Sequence, residues 1–136
     1  MPDPSSEHST VDEHGIRPPS VFAIERRDPV DGIAVLALSG ELDIAAAPAI
    51  RVRLAEVRGT ATRGVVLDMA DATFLDSSAL RELLSADAAL RADGMLLVLA
   101  TVHPAVERLL ELTHTTGMLA VAPTLEAALR QLAERP

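Results

Sequence analysis

Three short segments, residues 33–38, 65–69 and 95–99, are apolar at nearly every position, and the stretches between them carry apolar residues at helical spacing. A strand that alternates apolar and polar side chains has one dry face; an unbroken apolar run has two, and is typical of parallel sheets covered by helices. Strands that alternate with amphipathic helices imply parallel crossover connections. The chain is thereby constrained to the α/β class.

The remaining elements follow from local signals. Residues 22–25 read as a short strand, and Asp28-Pro29-Val30-Asp31-Gly32 carries strong turn chemistry ahead of the run at 33–38, which predicts a hairpin. Ser39-Gly40-Glu41-Leu42-Asp43 breaks that run, and a helix is expected to follow, with Pro48 near its first turn, Ile50, Leu54 and Val57 inward, and Gly59 as its stop. After the strand at 65–69, residues 70–76 read as a loop and residues 77–92 as a helix with Leu80, Leu83, Leu84 and Ala88 on one stripe. The strand at 95–99 precedes a helix opened by His103-Pro104, with Val106, Leu109 and Leu110 inward; residues 118–121 read as a last strand. Thr124 then has the character of an N-cap before Leu125, Ala128, Leu129 and Leu132. The predicted order is β-β-α-β-α-β-α-β-α, a mixed sheet of about five strands with about four helices in a single domain over residues 21–136. Residues 1–20, rich in Pro, Ser and acidic side chains and holding His8 and His14, are expected to be a disordered tail.

Composition narrows function by exclusion. The chain carries a formal net charge of −8, all 12 of its basic residues are Arg, and no basic stripe is present, which counts against direct nucleic-acid binding. Without Lys there is no Walker motif, and the scattered glycines form no phosphate-cradling loop. The absence of Cys removes disulfide and thiolate chemistry. No apolar run is long enough to span a bilayer and no signal peptide is evident, so the cytoplasm, away from membranes, is the expected location. No metal or cofactor is expected, since no His/Glu pair stands at ligand spacing.

Asp76-Ser77-Ser78 falls where functional loops gather in open α/β sheets, between the carboxyl end of a strand and the start of a helix. Unpaired amides and partial positive charge at a helix start suit a capping side chain or a phosphate equally. On spacing alone, a plain cap and a functional site both stand. Phe74 and Leu75, flanked by polar residues, are expected to be partly exposed. A nucleophilic Ser77 is disfavoured: the glycines of a hydrolase elbow are missing around it, and His103 and His114 are placed for capping or solvation. Gly40-Glu41-Leu42-Asp43 is the second candidate, on the same sheet edge as Ser77 if the two strands run parallel; a turn glycine and a helix dipole also explain it.

Together, Gly40-Glu41-Leu42-Asp43, Phe74-Leu75-Asp76-Ser77-Ser78 and the helix opening His103-Pro104-Ala105-Val106 resemble the STAS domain, specifically the anti-sigma factor antagonists. The resemblance covers roughly residues 21–136. It implies a protein, not an enzyme, that binds an anti-sigma factor serine kinase when unphosphorylated and so releases a sigma factor. The kinase would phosphorylate Ser77, ending the complex, and a metal-dependent serine phosphatase would reset it. Gly40, Glu41, Asp43, Phe74, Leu75, Asp76, Ser77 and Ser78 would form the partner surface, with Asp76 opposing the phosphate and Ser78 capping the helix. One position departs from the family: Ala79 stands where Gly is usual, and its methyl group is expected to hinder close approach of a kinase. The alternative is a STAS-type scaffold or sensor module that binds proteins or a small ligand without phosphorylation.

Overall fold

Side-chain alternation along the central strands sorts the core into two layers. In the computed structural model, which describes residues 21–135, the chain forms β1 (Phe22–Val30), β2 (Ile33–Leu42), α1 (Ala47–Arg58), β3 (Gly64–Leu75), α2 (Ser77–Ala92), β4 (Leu96–Ala100), α3 (Pro104–Leu112), β5 (Ala120–Ala122) and α4 (Leu125–Ala133). The expectations for residues 1–20, including the tail histidines, and for Pro136 lie outside the described residues. Leu36 and Leu38 of β2, Leu67 and Met69 of β3, and Leu97 and Leu99 of β4 face one layer, with Ile50 and Leu54 of α1, Leu80 and Leu83 of α2, and Val106 and Leu110 of α3. Ile33, Val35, Val66 and Val98 face the other, against Ala128 and Leu132 of α4. Covered on both sides, β2, β3 and β4 need the continuous apolar runs seen in the sequence.

The sheet order is β1-β2-β3-β4-β5, with β1 antiparallel to β2 and the other pairs parallel. The element order and the mixed five-strand sheet agree with the sequence. Ile50, Leu54 and Val57 are buried as expected, Gly59 ends α1, and the Thr124 hydroxyl caps α4 by accepting from the Ala127 amide at 3.0 Å.

Several boundaries need correction. The turn predicted over Asp28–Gly32 shrinks to Asp31 and Gly32, at φ 49° and 84°, the positive values a two-residue hairpin requires. β1 runs on to Val30, though its register shifts between Arg27 and Val30, where Pro29 has no N–H to offer. β2 extends to Leu42 and β3 to Leu75, so neither Ser39-Gly40-Glu41 nor most of 70–76 is loop. β3 has one residue more than β2 between the pairs Ala37↔Asp68 and Ser39↔Asp71, and again between Gly40↔Ala72 and Glu41↔Phe74. These irregularities break the two-residue alternation, and β3 buries Met69, Ala72 and Leu75 at intervals of three instead. Met118 lies in a turn, its amide donating to the Thr115 carbonyl at 2.9 Å, so the last strand begins at Ala120. On α2 the buried stripe is Ala79, Leu80, Leu83, Asp87 and Leu90; Leu84, half-buried, packs against the same core as expected, whereas Ala88 is exposed, against expectation.

Candidate functional site

The parallel pairing of β2 and β3 brings their carboxyl ends together, with Gly40 beside Ala72, Glu41 beside Phe74 and Leu42 beside Leu75. The Asp76 amide then donates to the Leu42 carbonyl at 3.1 Å, which ties the start of α2 to the end of β2. The two segments singled out in the sequence therefore share one sheet edge.

Gly40 serves the backbone. Its φ is +84°, and a Cβ there would stand 2.1 Å from the Val21 carbonyl oxygen, so a side chain is excluded by conformation and by space. The close approach lets the Glu41 amide donate to that same Val21 carbonyl at 3.1 Å. Asp43 organises the turn ahead of α1: its Oδ1 accepts from the Ala45 amide at 3.0 Å and its carbonyl from the Ala46 amide at 2.9 Å. The helix itself begins only at Ala47, with no acidic side chain in its first turn, so a dipole role for these acids does not hold.

At the head of α2 the sequence-based assignment of roles changes. Asp76, in extended conformation, is the N-cap, and its Oδ1 accepts from the Ala79 amide at 3.0 Å. Ser78 was expected to be the cap; it lies inside the first turn instead, because the Leu42 carbonyl fixes Asp76 in the extended cap geometry. Of the amides left over at a helix start, that of Asp76 goes to Leu42 and that of Ala79 to Asp76, leaving those of Ser77 and Ser78 at the exposed tip. Ser77 is exposed and Ser78 half-buried.

Around Ser77, Phe74 is 46% exposed, as expected, but Leu75 is only 3% exposed and belongs to the core, which corrects the expectation of a partly exposed side chain. Its burial follows from the three-residue spacing with Met69 and Ala72. Ile44, at 69% exposure, is an apolar surface residue the sequence reading missed. The available signal was its place in the turn after Asp43, ahead of the inward series that begins at Ala47 and Ile50. Ala79 is fully buried in the core layer under α2, so its methyl group points away from any partner approaching Ser77. The expected steric hindrance is thereby removed.

His103 caps α3, its Nδ1 accepting from the Ala105 amide at 3.0 Å, which is the capping role expected of it. Among the described residues no group of three or more His, Cys, Asp or Glu could hold a metal ion, and no helix is long and apolar enough to cross a membrane. The perturbed titrating pair is elsewhere: the Arg58 guanidinium, at 2.8 Å, holds the Asp93 carboxyl below the usual carboxylate range by hydrogen bonding and charge.

The STAS domain family matches residues 25–128. No curated protein matches the chain significantly in sequence. Among solved structures, an anti-sigma factor antagonist from Mycobacterium paratuberculosis is 28% identical, covering 84% of this chain and 96% of its own, with a TM-score of 0.72. The unphosphorylated anti-sigma factor antagonist SpoIIAA is 22% identical, covering 84% and 99%, with a TM-score of 0.71. A sulfate transporter family protein from Wolinella succinogenes is 17% identical, covering 80% and 93%, with a TM-score of 0.68.

Proposed function

This chain belongs to the STAS domain family, and on that footing we propose that it is an anti-sigma factor antagonist switched at Ser77. Unphosphorylated, it binds an anti-sigma factor that is also a serine kinase, and a sigma factor is released. Phosphorylation of Ser77 ends that complex, and a metal-dependent serine phosphatase restores it. The chain acts as a regulatory binding protein in the cytoplasm, not as an enzyme.

The observation that supports this most is the setting of Ser77: an exposed hydroxyl in the first turn of α2, directly after the cap Asp76 and close in sequence to the exposed Phe74. A phosphoryl group there adds roughly −1.5 to −2 charge. The amides of Ser77 and Ser78 and the positive end of the helix stabilise it, so the fold is kept. A partner surface matched to a neutral hydroxyl then meets a dianion beside the Asp76 carboxylate, with the acidic Glu41 and Asp43 at the neighbouring strand end. Repulsion and the desolvation of that charge release the partner.

Incubation with histidine-kinase-like anti-sigma factors of the same genome and Mg-ATP tests the switch by intact mass. Phosphate is expected on Ser77 and lost in Ser77→Ala; Ser77→Glu is expected to bind the same kinase at least about tenfold more weakly with an unchanged circular dichroism spectrum. Phosphate on Ser78 alone, or equal affinity of wild type and Ser77→Glu, would refute it.

A second reading, a STAS-type scaffold or sensor module without phosphorylation, draws on a different feature. Between α1 and α2 lies a groove of about 390 Å³, lined by apolar residues such as Leu54, Ala55 and Ala86 and by the polar Ser85, Glu82 and Arg51, the last two ion-paired, within the size range of small-ligand sites. The same kinase incubation separates the two, since a module of this kind gains no phosphate.

A further inference from the structure

The two edges of the sheet are protected unequally. β1 carries Glu25, Arg26, Arg27, Asp28 and Pro29 in succession, all exposed, and charges with a proline discourage a further strand from pairing. β5, at the other edge, is uncharged and pairs with β4 alone among the described residues. Val121 is 42% exposed on it, and nearby in the chain Met118 and Leu112 are 53% and 66% exposed. Between α3 and β5 runs a groove of about 220 Å³ lined by Glu107, Leu110, Glu111, Thr116, Leu119 and Val121. Its floor is apolar, with Leu110 and Leu119 buried. Glu107 and Glu111 stand one helical turn apart on its α3 side, and neither forms an ion pair with a described residue.

We propose that this groove and the open edge of β5 form a second docking site, separate from the Ser77 surface, for an extended protein segment that presents an apolar residue and an Arg or Lys two positions apart. Main-chain groups of such a segment pair with the β5 edge, as in other strand-addition complexes. Residues two apart share one face of a strand. Ala122 faces the α4 layer, so Val121, next in the strand, faces α3, and the same side of an added strand meets Leu119, Val121 and the two carboxylates together. The apolar side chain covers Val121 and the cation sits against Glu107 and Glu111. A second copy of this chain is the poorer occupant: its net charge is −8, its β1 edge sets Glu25 and Asp28 beside the arginines and lacks the Pro29 amide, and its uncharged β5 edge brings no cation to Glu107 and Glu111.

The test titrates the full chain with a capped octapeptide, Thr-Val-Thr-Arg repeated twice, followed by amide chemical shifts. The amides of residues 119–122, Glu107 and Glu111 are expected to move. Exchanging the peptide arginines for Glu, or making Glu107→Gln with Glu111→Gln on this exposed helix face, is expected to weaken binding about tenfold. Ser77→Glu is expected to leave the affinity unchanged, so the two sites stand or fall apart. Absence of shifts at millimolar peptide, shifts confined to other residues, equal binding of the Arg and Glu peptides, or self-association through the same amides without peptide would each overturn the proposal.

Discussion

The Asp76 carboxylate accepts the Ala79 amide at 3.0 Å, so the acidic group beside the Ser77 hydroxyl is also the cap of the helix that carries it. One side chain thus couples helix stability to the electrostatics of the candidate switch. The carboxylate is held in place by that hydrogen bond, and under the proposed switch it would oppose a phosphate on the next residue.

Replacing Asp76 by Ala is expected to cost about 1 kcal/mol through loss of the cap, while Asp76→Ser should recover most of it. Ser78→Ala, inside the first turn, should stay within about 0.5 kcal/mol of wild type. Urea unfolding midpoints of the three variants check this. Equal losses for Asp76→Ala and Ser78→Ala would return the cap to Ser78.

Ala79→Gly restores the residue usual in the family and is expected to destabilise the chain. The helix-propensity loss is about 1 kcal/mol, and a buried methyl adds up to about 0.8 kcal/mol. Since that methyl is in the core, the substitution should leave the phosphorylation rate of Ser77 unchanged. A clear rate increase in Ala79→Gly, measured with the same kinase, would show that the methyl does obstruct.

Phe74 and Ile44 are large apolar side chains left exposed at and just beyond the paired ends of β3 and β2, the segments that hold the candidate switch. As contacts in a protein interface, each should lose about 1–2 kcal/mol of binding when cut to Ala. Unfolding stability should change by less than about 0.5 kcal/mol, since neither side chain fills the core. Calorimetric titration with the partner kinase separates this from a structural role, in which stability would fall and affinity would not.

Much of this fold is legible because buried strands and capped helices leave local marks. The runs behind β2, β3 and β4, the Thr124 cap and the His103 cap all stand in the sequence and in the structure. The ends of β2 and β3 do not, because two irregularities in their pairing shift the burial period of β3 from two to three. The same shift hides Leu75 and exposes Phe74. Asp76-Ser77-Ser78 offers three residues able to cap, and the choice among them is made by the Leu42 carbonyl on the neighbouring strand, which no local window contains. The juxtaposition of the Gly40 and Ser77 segments needed the parallel pairing that the alternation of elements implied.

Arg58 and Asp93 join the end of α1 to the end of α2 on the surface. The Asp93 carboxyl is held below its ordinary range, so the pair contributes above the unfolded carboxylate value of about 3.9 and its contribution is lost as pH falls through the lower folded value. The Arg58 guanidinium is raised by its hydrogen bond to Asp93 and by the Asp93 charge, and stays charged throughout that window. A carboxyl carbon NMR titration should place Asp93 low in wild type and near the ordinary range in Arg58→Ala. Superimposable curves would mean the pair is screened away in solution.

Asp87 is the polar member of the buried α2 stripe, 5% exposed, and its place is set by two hydrogen bonds. Oδ1 accepts the Leu97 amide at 3.3 Å, and Oδ2 accepts from Arg91 Nε at 2.8 Å, so one carboxylate ties α2 to β4 while its charge is matched from the same helix. In Asp87→Ala the Leu97 amide loses its acceptor in a dry environment, which should cost about 1–3 kcal/mol. Asp87→Asn keeps an acceptor oxygen and gives up the ion pair with the half-exposed Arg91, so its cost should be smaller. Amide hydrogen exchange distinguishes this link from a mere packing effect, because a lost acceptor accelerates Leu97 beyond the general change in stability. Equal relative protection of Leu97 in Asp87→Ala and Asp87→Asn would mean that Asp87 does not hold β4 to α2.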